Sequence, residues 1–257
     1  MAVSEKVVAV TGAGRGIGQA IAERFLAEGA RVVVGDVDDA LLEEWRRRQE
    51  GFPRRPAMVR VDVSKKADVE AFVEAAVAQF GRLDVLVNNA GITKRGTAEA
   101  VAEEDWDAIF AVNVKGPLFG IQAAVPRMRR SGGGAIINLA SIVGANPKVG
   151  VAAYCCSKAA VIQLTRAAAL ELARSGIRVN AIAPGPTDTP MAQAFTAGGA
   201  ALKEWLSGDI ETMRPPVPLG RLIQPPEVAA VAVFLASEEA KNITGQVIFV
   251  DGGQSII

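Results

Sequence analysis

The sequence predicts a doubly wound α/β fold, in which a seven-stranded parallel sheet carries helices on both faces. Short runs made almost entirely of apolar residues alternate with longer segments whose apolar residues recur at helical spacing. The short runs do not alternate between apolar and polar residues, which is typical of parallel strands covered by helices on each side. This β–α–β alternation extends over residues 1–257, so we expect a single domain.

Seven segments are predicted to be strands. Each is a short, mainly apolar run, and most are followed by glycine, asparagine, aspartate or proline, which end a strand. In chain order the predicted strands are Lys6–Thr11, Arg31–Asp36, Ala57–Val63, Leu83–Asn88, Gly133–Ala140, Ile177–Ala183 and Gln246–Asp251.

Six helical segments separate the first six strands, and glycine or proline ends several of them. Residues 184–226 interrupt the pattern with an irregular stretch rich in proline and glycine. A long excursion in a compact domain is usually functional, so we expect a lid at about 186–225. The predicted helices are 16–28, Asp39–Glu50, Lys66–Phe80, Ala98–Val114, Pro117–Arg130 and Val151–Ser175.

The composition excludes several classes of function. The chain has 28 Lys and Arg, 28 Asp and Glu and no His, so it has neither Ser-His-Asp catalysis nor an imidazole metal site. Zero formal net charge gives no field for nucleic acid, and no apolar stretch reaches the ~20 residues that span a bilayer. Adjacent Cys155 and Cys156 favour a reduced, cytoplasmic chain over a disulfide framework. We therefore expect no metal, nucleic-acid or membrane partner.

A glycine-rich turn lies between the first predicted strand and the first predicted helix. It contains Gly12, Gly16 and Gly18. Glycines allow a tight turn and a close approach of the backbone to a ligand, and the following helix offers free N–H groups to a pyrophosphate. The position of the glycines favours a dinucleotide site over a merely structural turn.

Acidic residues at two further strand ends indicate which dinucleotide is bound. Asp36 follows Gly18 by 18 residues, close to the offset at which a carboxylate accepts hydrogen bonds from the adenosine ribose. That carboxylate would repel a 2′-phosphate, so we predict NAD, although Arg15 in the turn is suited to pair with such a phosphate. The alternative is that Asp36 caps the next helix. Asp62 is expected to accept from the adenine amino group, with Val63 against the ring.

The candidate acid–base group is the single tyrosine of the chain. Tyr154 and Lys158 are four residues apart, which places them on one face of a predicted helix. A phenol has a pKa of about 10, and a neighbouring ammonium lowers it. Ser141 follows the fifth predicted strand, and the carboxyl ends of parallel strands line the ligand crevice. Together these residues predict proton transfer to or from a substrate oxygen.

In this order and spacing, the motifs resemble the single-domain form of the short-chain dehydrogenase/reductases. The resemblance covers essentially the whole chain and implies a Rossmann-type domain that carries hydride chemistry on a nicotinamide cofactor. The segments that carry it are Thr11-Gly-Ala-Gly-Arg-Gly-Ile-Gly18, Asn88-Asn-Ala-Gly91, Asn113, Ser141, Tyr154-Cys-Cys-Ser-Lys158, Pro184-Gly185 and Val250-Asp-Gly-Gly253.

The resemblance also implies roles for individual residues. Tyr154 would exchange a proton with the substrate oxygen that Ser141 orients. Lys158 would lower the pKa of Tyr154 and hold the nicotinamide ribose, and Asn113 would keep a kinked helix and a water that links Lys158 to solvent. For Thr187 and Thr189 the alternative is a loop residue with local hydrogen bonds. The predicted cofactor-binding residues are Gly12, Arg15, Gly16, Ile17, Gly18, Asp36, Asp62, Val63, Asn89, Ala90, Gly91, Tyr154, Lys158, Pro184, Gly185, Thr187 and Thr189.

The substrate pocket is expected to be mainly apolar and to take a neutral secondary alcohol or ketone, with a polyol or sugar as a further option. Lys94 and Lys148 are the candidates for binding an anionic group, and we expect both to be solvated instead. The apolar residues of the lid segment are Met191, Phe195, Leu202, Trp205, Leu206, Ile210 and Met213.

The predicted function is an NAD-dependent oxidoreductase that acts on a small-molecule alcohol or ketone. One alternative is an NADPH-dependent reductase of 3-oxoacyl thioesters on acyl carrier protein. A second alternative is a non-catalytic dinucleotide sensor, since a fold does not by itself imply catalysis. The resemblance further implies a homotetramer that packs Pro117–Arg130 and Val151–Ser175 across a two-fold axis.

Overall fold

The computed structural model describes residues 3–196, 205–210 and 213–256, with one sheet of seven parallel strands at its centre. The predicted α/β fold is therefore confirmed. The strands are β1 Val7–Thr11, β2 Arg31–Asp36, β3 Ala57–Arg60, β4 Val85–Asn88, β5 Gly134–Leu139, β6 Ile177–Pro184 and β7 Val247–Val250.

The strand order in the sheet is β3-β2-β1-β4-β5-β6-β7. The chain therefore moves outward from β1 to β3, returns to the other side of β1, and then moves outward again to β7. The order reverses between β1 and β4, where Val8 is level with Val85. In open parallel sheets this switch point creates a crevice at the carboxyl ends of the strands, where ligands bind.

Helices cover both faces of the sheet, as predicted. Successive β1 residues point to opposite faces: Val8 packs with α1, α2 and α8, whereas Val7 packs with α3, α5 and α6. The helices are α1 Gly16–Ala27, α2 Asp39–Arg48, α3 Lys66–Phe80, α4 Glu103–Phe110, α5 Gly116–Arg130, α6 Ala152–Leu172, α7 Pro190–Thr196 and α8 Pro225–Ala236.

Among these helices, α7 and α8 are ones that the sequence pattern does not predict. α8 begins with a capping box between Gln224 and Glu227, and Val228, Ala232 and Leu235 are buried in it. It is apolar nearly all round, so it has little of the periodicity on which the prediction relies. α7 lies inside the predicted irregular segment.

The largest error in a predicted boundary is at the start of α4. α4 begins at Glu103 rather than at Ala98, because the backbone turns first. The N–H groups of Ala100 and Val101 both donate to the carbonyl of Thr97, at 3.2 and 2.9 Å. These bonds close a turn that the helical spacing of the apolar residues did not reveal.

A continuous helical run, Glu103–Arg130, is long and apolar enough to cross a membrane by length and composition alone. This run is interrupted by polar and charged residues such as Asn113 and Lys115, so it is not an uninterrupted apolar stretch of the kind that the sequence analysis excluded. Its apolar residues are used within the fold, since Ile121, Ala124 and Met128 pack in the core cluster beneath the sheet. A buried core helix passes the same test as a membrane span.

Candidate active site

A cavity of about 640 Å³ opens at the carboxyl ends of the strands. This volume is in the range of ordinary small-molecule sites. Every predicted site residue lines it except Asn113, which lies in the wall behind. The predicted residues at the cavity surface are Gly12, Arg15, Gly16, Ile17, Gly18, Asp36, Asp62, Val63, Asn89, Ala90, Gly91, Ser141, Tyr154, Lys158, Pro184, Gly185, Thr187 and Thr189.

The glycine turn is packed too closely for side chains at two of its positions. Gly12 has a φ of 62°, and a Cβ there would lie 2.7 Å from the Cα of Ala90. A Cβ on Gly18 would collide with the carbonyl oxygen of Gly12 and with the side chain of Asn89. Both positions therefore require glycine so that the turn can approach the end of β4.

Asn89 fastens this turn to β4. Its Nδ2 donates to the carbonyls of Thr11 and Gly12, at 3.0 and 2.9 Å. The Thr11 hydroxyl in turn accepts from the backbone N–H groups of Asn89 and Ala90, at 3.1 and 3.2 Å. The predicted Asn89 and Ala90 therefore hold the turn at the same time as they line the cavity, and Gly91 lines the cavity beside them.

The cavity meets the start of α1 in a form that suits a pyrophosphate. No side-chain hydrogen bond caps the helix at Arg15, and Gly16, Ile17 and Gly18 of its first turn all line the cavity. Uncapped N–H groups and the positive end of the helix dipole bind phosphate groups. The exposed Arg15 adds a cation there. These residues fit the dinucleotide that the sequence predicts.

The Asp36 carboxylate ends β2 and holds the glycine turn. Its Oδ2 accepts from the N–H of Gly14 at 2.8 Å and its Oδ1 accepts from the N–H of Asp38 at 3.1 Å. The alternative that Asp36 caps the next helix is wrong, since Asp38 accepts from Ala40 N at 2.9 Å as the N-cap of α2. Asp36 therefore faces the cavity from a fixed position, and each oxygen retains a lone pair for a hydroxyl donor.

Asp62 lies two residues beyond β3, which ends at Arg60 rather than at Val63. Its Oδ1 accepts from the hydroxyl and the N–H of Ser64, at 2.6 and 3.1 Å. The Ser64 hydroxyl bond is the main cause that lowers the pKa of Asp62, and the Lys65 ammonium contributes. Asp62 is therefore an ionised acceptor at the cavity edge, as its predicted contact with an adenine amino group requires.

Asn113 is almost fully buried in a π-helical turn, Ala111–Lys115, that joins α4 to α5. Its Oδ1 accepts from the N–H of Ile92, and its Nδ2 donates to the Ile92 carbonyl, both at 2.9 Å. Its Nδ2 also donates to the Ser157 hydroxyl at 3.0 Å. The predicted irregularity in this helix is therefore present, and such turns often occur at functional sites. A water between Asn113 and Lys158 stays a prediction.

Tyr154 and Ser141 meet at the centre of the cavity wall. Both side chains line the cavity, and the Ser141 hydroxyl favours the phenolate form of Tyr154. Burial raises the pKa of Tyr154 to about 12, and the Ser141 hydroxyl opposes that rise only in part. The sequence prediction of a lowered phenol pKa is therefore wrong for this arrangement, because desolvation of the phenolate exceeds the favourable contacts.

Lys158 lies beside Tyr154 on α6, as the four-residue spacing predicts. Its Nζ is 5.6 Å from the centre of the Tyr154 ring and donates to the carbonyl of Leu139 at 2.7 Å. A Cβ on Gly91 would lie 3.5 Å from this Nζ and 3.4 Å from Asn113 Oδ1, so these two groups flank Gly91. Burial lowers the pKa of Lys158 to about 8.

Two threonines after β6 make the local hydrogen bonds that the sequence left as an alternative. The Thr187 hydroxyl donates to the carbonyl of Gly185 at 3.0 Å, and the Thr189 hydroxyl accepts from the N–H of Ala192 at 3.2 Å. Both residues also line the cavity, together with Pro184. The two roles are compatible, since each hydroxyl retains a further bonding position.

The lid segment contributes apolar surface to the cavity through Met191 and Trp205. Ile210 and Met213 are exposed instead. Leu202 and the side chain of Phe195, which the sequence also assigned to the pocket, lie outside the described residues.

Sequence reasoning missed a group of charged residues at the same cavity. Lys148 is half-buried in the cavity wall rather than solvated, and Arg95, Asp209 and Arg214 line the same space. Burial, followed by the Arg214 guanidinium, lowers the pKa of Lys148 to about 8. Lys94 is exposed and lies 3.7 Å from Asp105, as expected for a solvated lysine. No local pattern brings residues 95, 148 and 214 together.

The fold and this site define a class of protein: a dinucleotide-binding α/β enzyme with a serine, a tyrosine and a lysine at the reacting end of its cavity. A sequence profile described as the enoyl-(acyl carrier protein) reductase family matches residues 12–255. The chain belongs to the short-chain dehydrogenase/reductase family.

Curated relatives and solved structures align along nearly the full chain. The 3-oxoacyl-[acyl-carrier-protein] reductase FabG of Thermotoga maritima is 41% identical over 253 residues, covering 98% of this chain and 99% of the relative. The 4-formylbenzenesulfonate dehydrogenase TsaC1/TsaC2 of Comamonas testosteroni is 39% identical and covers 100% of both chains. A 3-ketoacyl-(acyl-carrier-protein) reductase from Brucella melitensis, complexed with NADH, superimposes with a TM-score of 0.87 at 38% identity, covering 98% of this chain and 99% of the other.

Proposed function

We propose that this protein is an NAD-dependent dehydrogenase or reductase that interconverts a secondary alcohol and a ketone, with a polyol or sugar among the alcohols to be tested. The observation that carries the proposal is that Ser141, Tyr154 and Lys158 line one cavity together with the glycine turn, with Lys158 Nζ 5.6 Å from the centre of the Tyr154 ring. A phenol can serve as acid or base where histidine is absent.

The bound nicotinamide supplies or accepts the hydride at the substrate carbon. Ser141 donates a hydrogen bond that fixes the substrate oxygen next to Tyr154. In reduction Tyr154 gives its proton to the carbonyl oxygen, and in oxidation it takes the hydroxyl proton. The buried Lys158 ammonium stabilises the resulting phenolate electrostatically, in a site with little water to screen the interaction. Asn113 holds the Ile92 backbone and the Ser157 hydroxyl in place near Lys158.

Asp36 supports NAD as the cofactor. Gly14 and Asp38 hold its carboxylate at the cavity surface, where a 2′-phosphate would meet a negative charge. The similar Brucella reductase is described with NADH. The exposed Arg15 is the residue that opposes this assignment, since it offers a cation to a 2′-phosphate. Fluorescence titration with NADH and NADPH tests the preference, and a tenfold or greater preference for NADPH would overturn it.

The substrate screen is the main test of the proposed activity. The protein is assayed with NAD near pH 9 against secondary alcohols, diols and sugars, and with NADH at pH 7 against the matching ketones. The high pH removes the proton released on oxidation and makes weak activity visible. Turnover of at least one pair in both directions supports the proposal, whereas tight dinucleotide binding without any turnover favours a sensor.

A second candidate is a reductase of 3-oxoacyl thioesters carried by acyl carrier protein. The FabG relative at 41% identity and the Brucella structure favour it. Asp36 does not separate the two candidates, because the Brucella reductase is itself described in complex with NADH. Reduction of an acetoacetyl thioester, and capture of acyl carrier protein from a purified mixture, separate the two candidates.

We further propose a single catalytic domain over residues 1–257, with the segment 186–225 as a lid above a small-molecule substrate, and a homotetramer acting in the cytoplasm. The lid is supported by Met191 and Trp205 at the cavity wall. The location is supported by the free thiols of Cys155 and Cys156.

A further inference from the structure

The substrate end of the cavity is lined by several cationic side chains, which the zero net charge of the chain does not suggest. Among the described residues beyond Ser141 and Tyr154, Arg95, Lys148 and Arg214 line it, and Asp209 is the carboxylate there. Of these residues, Lys148 is the one whose ammonium has no ion pair or hydrogen bond with the described residues.

Backbone contacts fix the positions of the cationic residues around the mouth of the cavity. Lys148 N lies 3.5 Å from the Sγ of Cys155, the residue after Tyr154. Gly96, next to Arg95, donates to the carbonyl of Gly150 at 2.9 Å. These contacts join the loop that carries Lys148 to the residue next to Tyr154, and the loop that carries Arg95 to the same region.

Arg214 approaches the same place from the lid segment. Its backbone exchanges two hydrogen bonds with Asp209, both at 2.8 Å. The Arg214 charge is close enough to Lys148 to disfavour the ammonium form. Two like charges therefore lie in partly buried surroundings, where their repulsion is weakly screened.

Lys148 is the unusual member of this group. It is half-buried, and its ammonium forms no ion pair or hydrogen bond with any residue that the structure describes. A partly desolvated cation beside a second cation is unfavourable unless an anion joins them. Such an arrangement is typical of a binding site for a carboxylate or a similar oxyanion.

Resting on the proposed oxidoreductase function, we propose that the substrate carries an anionic oxygen group, of the carboxylate or sulfonate type, which Lys148 and Arg214 bind. Ser141 and Tyr154 then hold the reacting oxygen at the other end of the same molecule. This assignment replaces the neutral alcohol that sequence reasoning predicts with a hydroxy or oxo acid.

Binding of matched pairs tests this inference without relying on turnover. The intact protein, alone and with saturating NADH, is titrated calorimetrically at pH 7 with hexanoate and hexanamide, benzoate and benzamide, and inorganic sulfate. Each carboxylate has nearly the shape of its amide but carries a charge. We expect at least one carboxylate to bind about tenfold or more tightly than its amide, as charge-assisted hydrogen bonds do.

Three variants locate the effect. In Lys148→Met the carboxylate should bind no better than the amide, whereas Lys148→Arg, which keeps the charge, should retain most of the preference. Lys94→Met is the matched control, since this exposed lysine lies outside the cavity, and its preference should equal that of the unchanged protein. Equal affinities within every pair, or an equal loss in Lys94→Met, would overturn the inference.

Kinetics separate a failure of this inference from a failure of the proposed function. Hydroxy acids and their methyl esters are compared as substrates with NAD. If esters and acids turn over with equal kcat/KM, the enzyme assignment stands and the anion site is wrong. If carboxylates bind through Lys148 but nothing turns over, the anion site stands and the oxidoreductase assignment is wrong.

Discussion

At the scale of single residues, burial controls the ionisation of the groups around the cavity. It raises the pKa of Tyr154 to about 12 and lowers the pKa of Lys158 and of Lys148 to about 8. In each case the neutral form gains, because the charged form loses its water. A charged ligand that binds beside these groups should therefore shift their pKa values strongly.

Replacing the Tyr154 hydroxyl tests its assigned role. Tyr154→Phe keeps the ring and its packing but removes the proton, so we expect turnover to fall by about 100-fold to 10,000-fold, the usual contribution of general acid–base catalysis. The dissociation constant for NADH should change little. Cys156→Ser, at an exposed neighbouring position on α6, is the control and should retain full turnover. Unchanged turnover in Tyr154→Phe would contradict the assignment.

The pKa of Lys148 also predicts a pH-dependent effect on stability. The pKa of Lys148 is about 8 in the folded protein and 10.5 for an ordinary lysine. Between these two pH values the folded state therefore binds fewer protons than the unfolded state. The cost of the buried charge is therefore full below pH 8 and disappears as the pH rises to 10.5. We expect Lys148→Met to raise the midpoint of thermal unfolding by about a few degrees at pH 7.

Differential scanning fluorimetry of the ligand-free protein measures this difference. The gap between Lys148→Met and the unchanged protein should narrow from pH 7 to pH 10. If the two unfolding midpoints are equal at pH 7, or if their difference widens with pH, the buried ammonium of Lys148 does not destabilise the protein.

At the scale of elements, the site depends on irregularities at the ends and joints of regular structure. The glycine turn between β1 and α1 is tied to β4 by Asn89, and the π-helical turn between α4 and α5 is tied to Ile92 by Asn113. In both cases an asparagine amide satisfies backbone groups that a strand or helix would otherwise pair. The segment that follows β4 is therefore held from two sides.

Replacing a glycine of the turn by alanine tests whether close packing, rather than the loss of any glycine, weakens cofactor binding. In Gly18→Ala the new Cβ would collide with the Gly12 carbonyl, so the turn must shift away from β4. We expect NADH binding to weaken about tenfold or more, with a lower unfolding midpoint, as for overpacking that costs about 1–3 kcal/mol. Gly51→Ala is the control, because no atom lies within 4 Å of its Cβ. Equal behaviour of both variants would refute the packing argument.

At the scale of the whole molecule, the single chain leaves apolar residues exposed on α6, where we propose a subunit contact, and on two further surfaces. Leu170 on α6 is 84% exposed, and Phe249 on the edge strand β7 and Ile256 near the C-terminus are exposed as well. Apolar side chains on a helix face and on a sheet edge suit a symmetric interface.

Light scattering after size exclusion measures the assembly. We expect a mass four times the chain mass of 26.8 kDa. Leu170→Glu should lower the mass, because a charge on the α6 face would be buried without a partner. Leu219→Glu, at a residue 67% exposed in the lid segment, should leave it unchanged. A monomer at micromolar concentration, or dissociation by both variants, would contradict the homotetramer.

The sequence by itself determined the parallel sheet, the glycine turn at its switch point and the pairing of Tyr154 with Lys158. These features depend on patterns within one turn or one strand, where apolar periodicity and backbone constraints act locally. The sequence pattern did not predict helix α8, because this helix is apolar on most sides and so shows no apolar periodicity.

Only the tertiary structure decided how the charges are grouped and in which direction their pKa values shift. Lys148, Arg95 and Arg214 come from distant segments and share one cavity, so no spacing along the chain reveals them. The rise in the pKa of Tyr154 follows from how much water folding removes, which exceeds what the nearby lysine was expected to offset. Burial and long-range charge proximity are properties of the packed molecule, and local sequence patterns do not contain them.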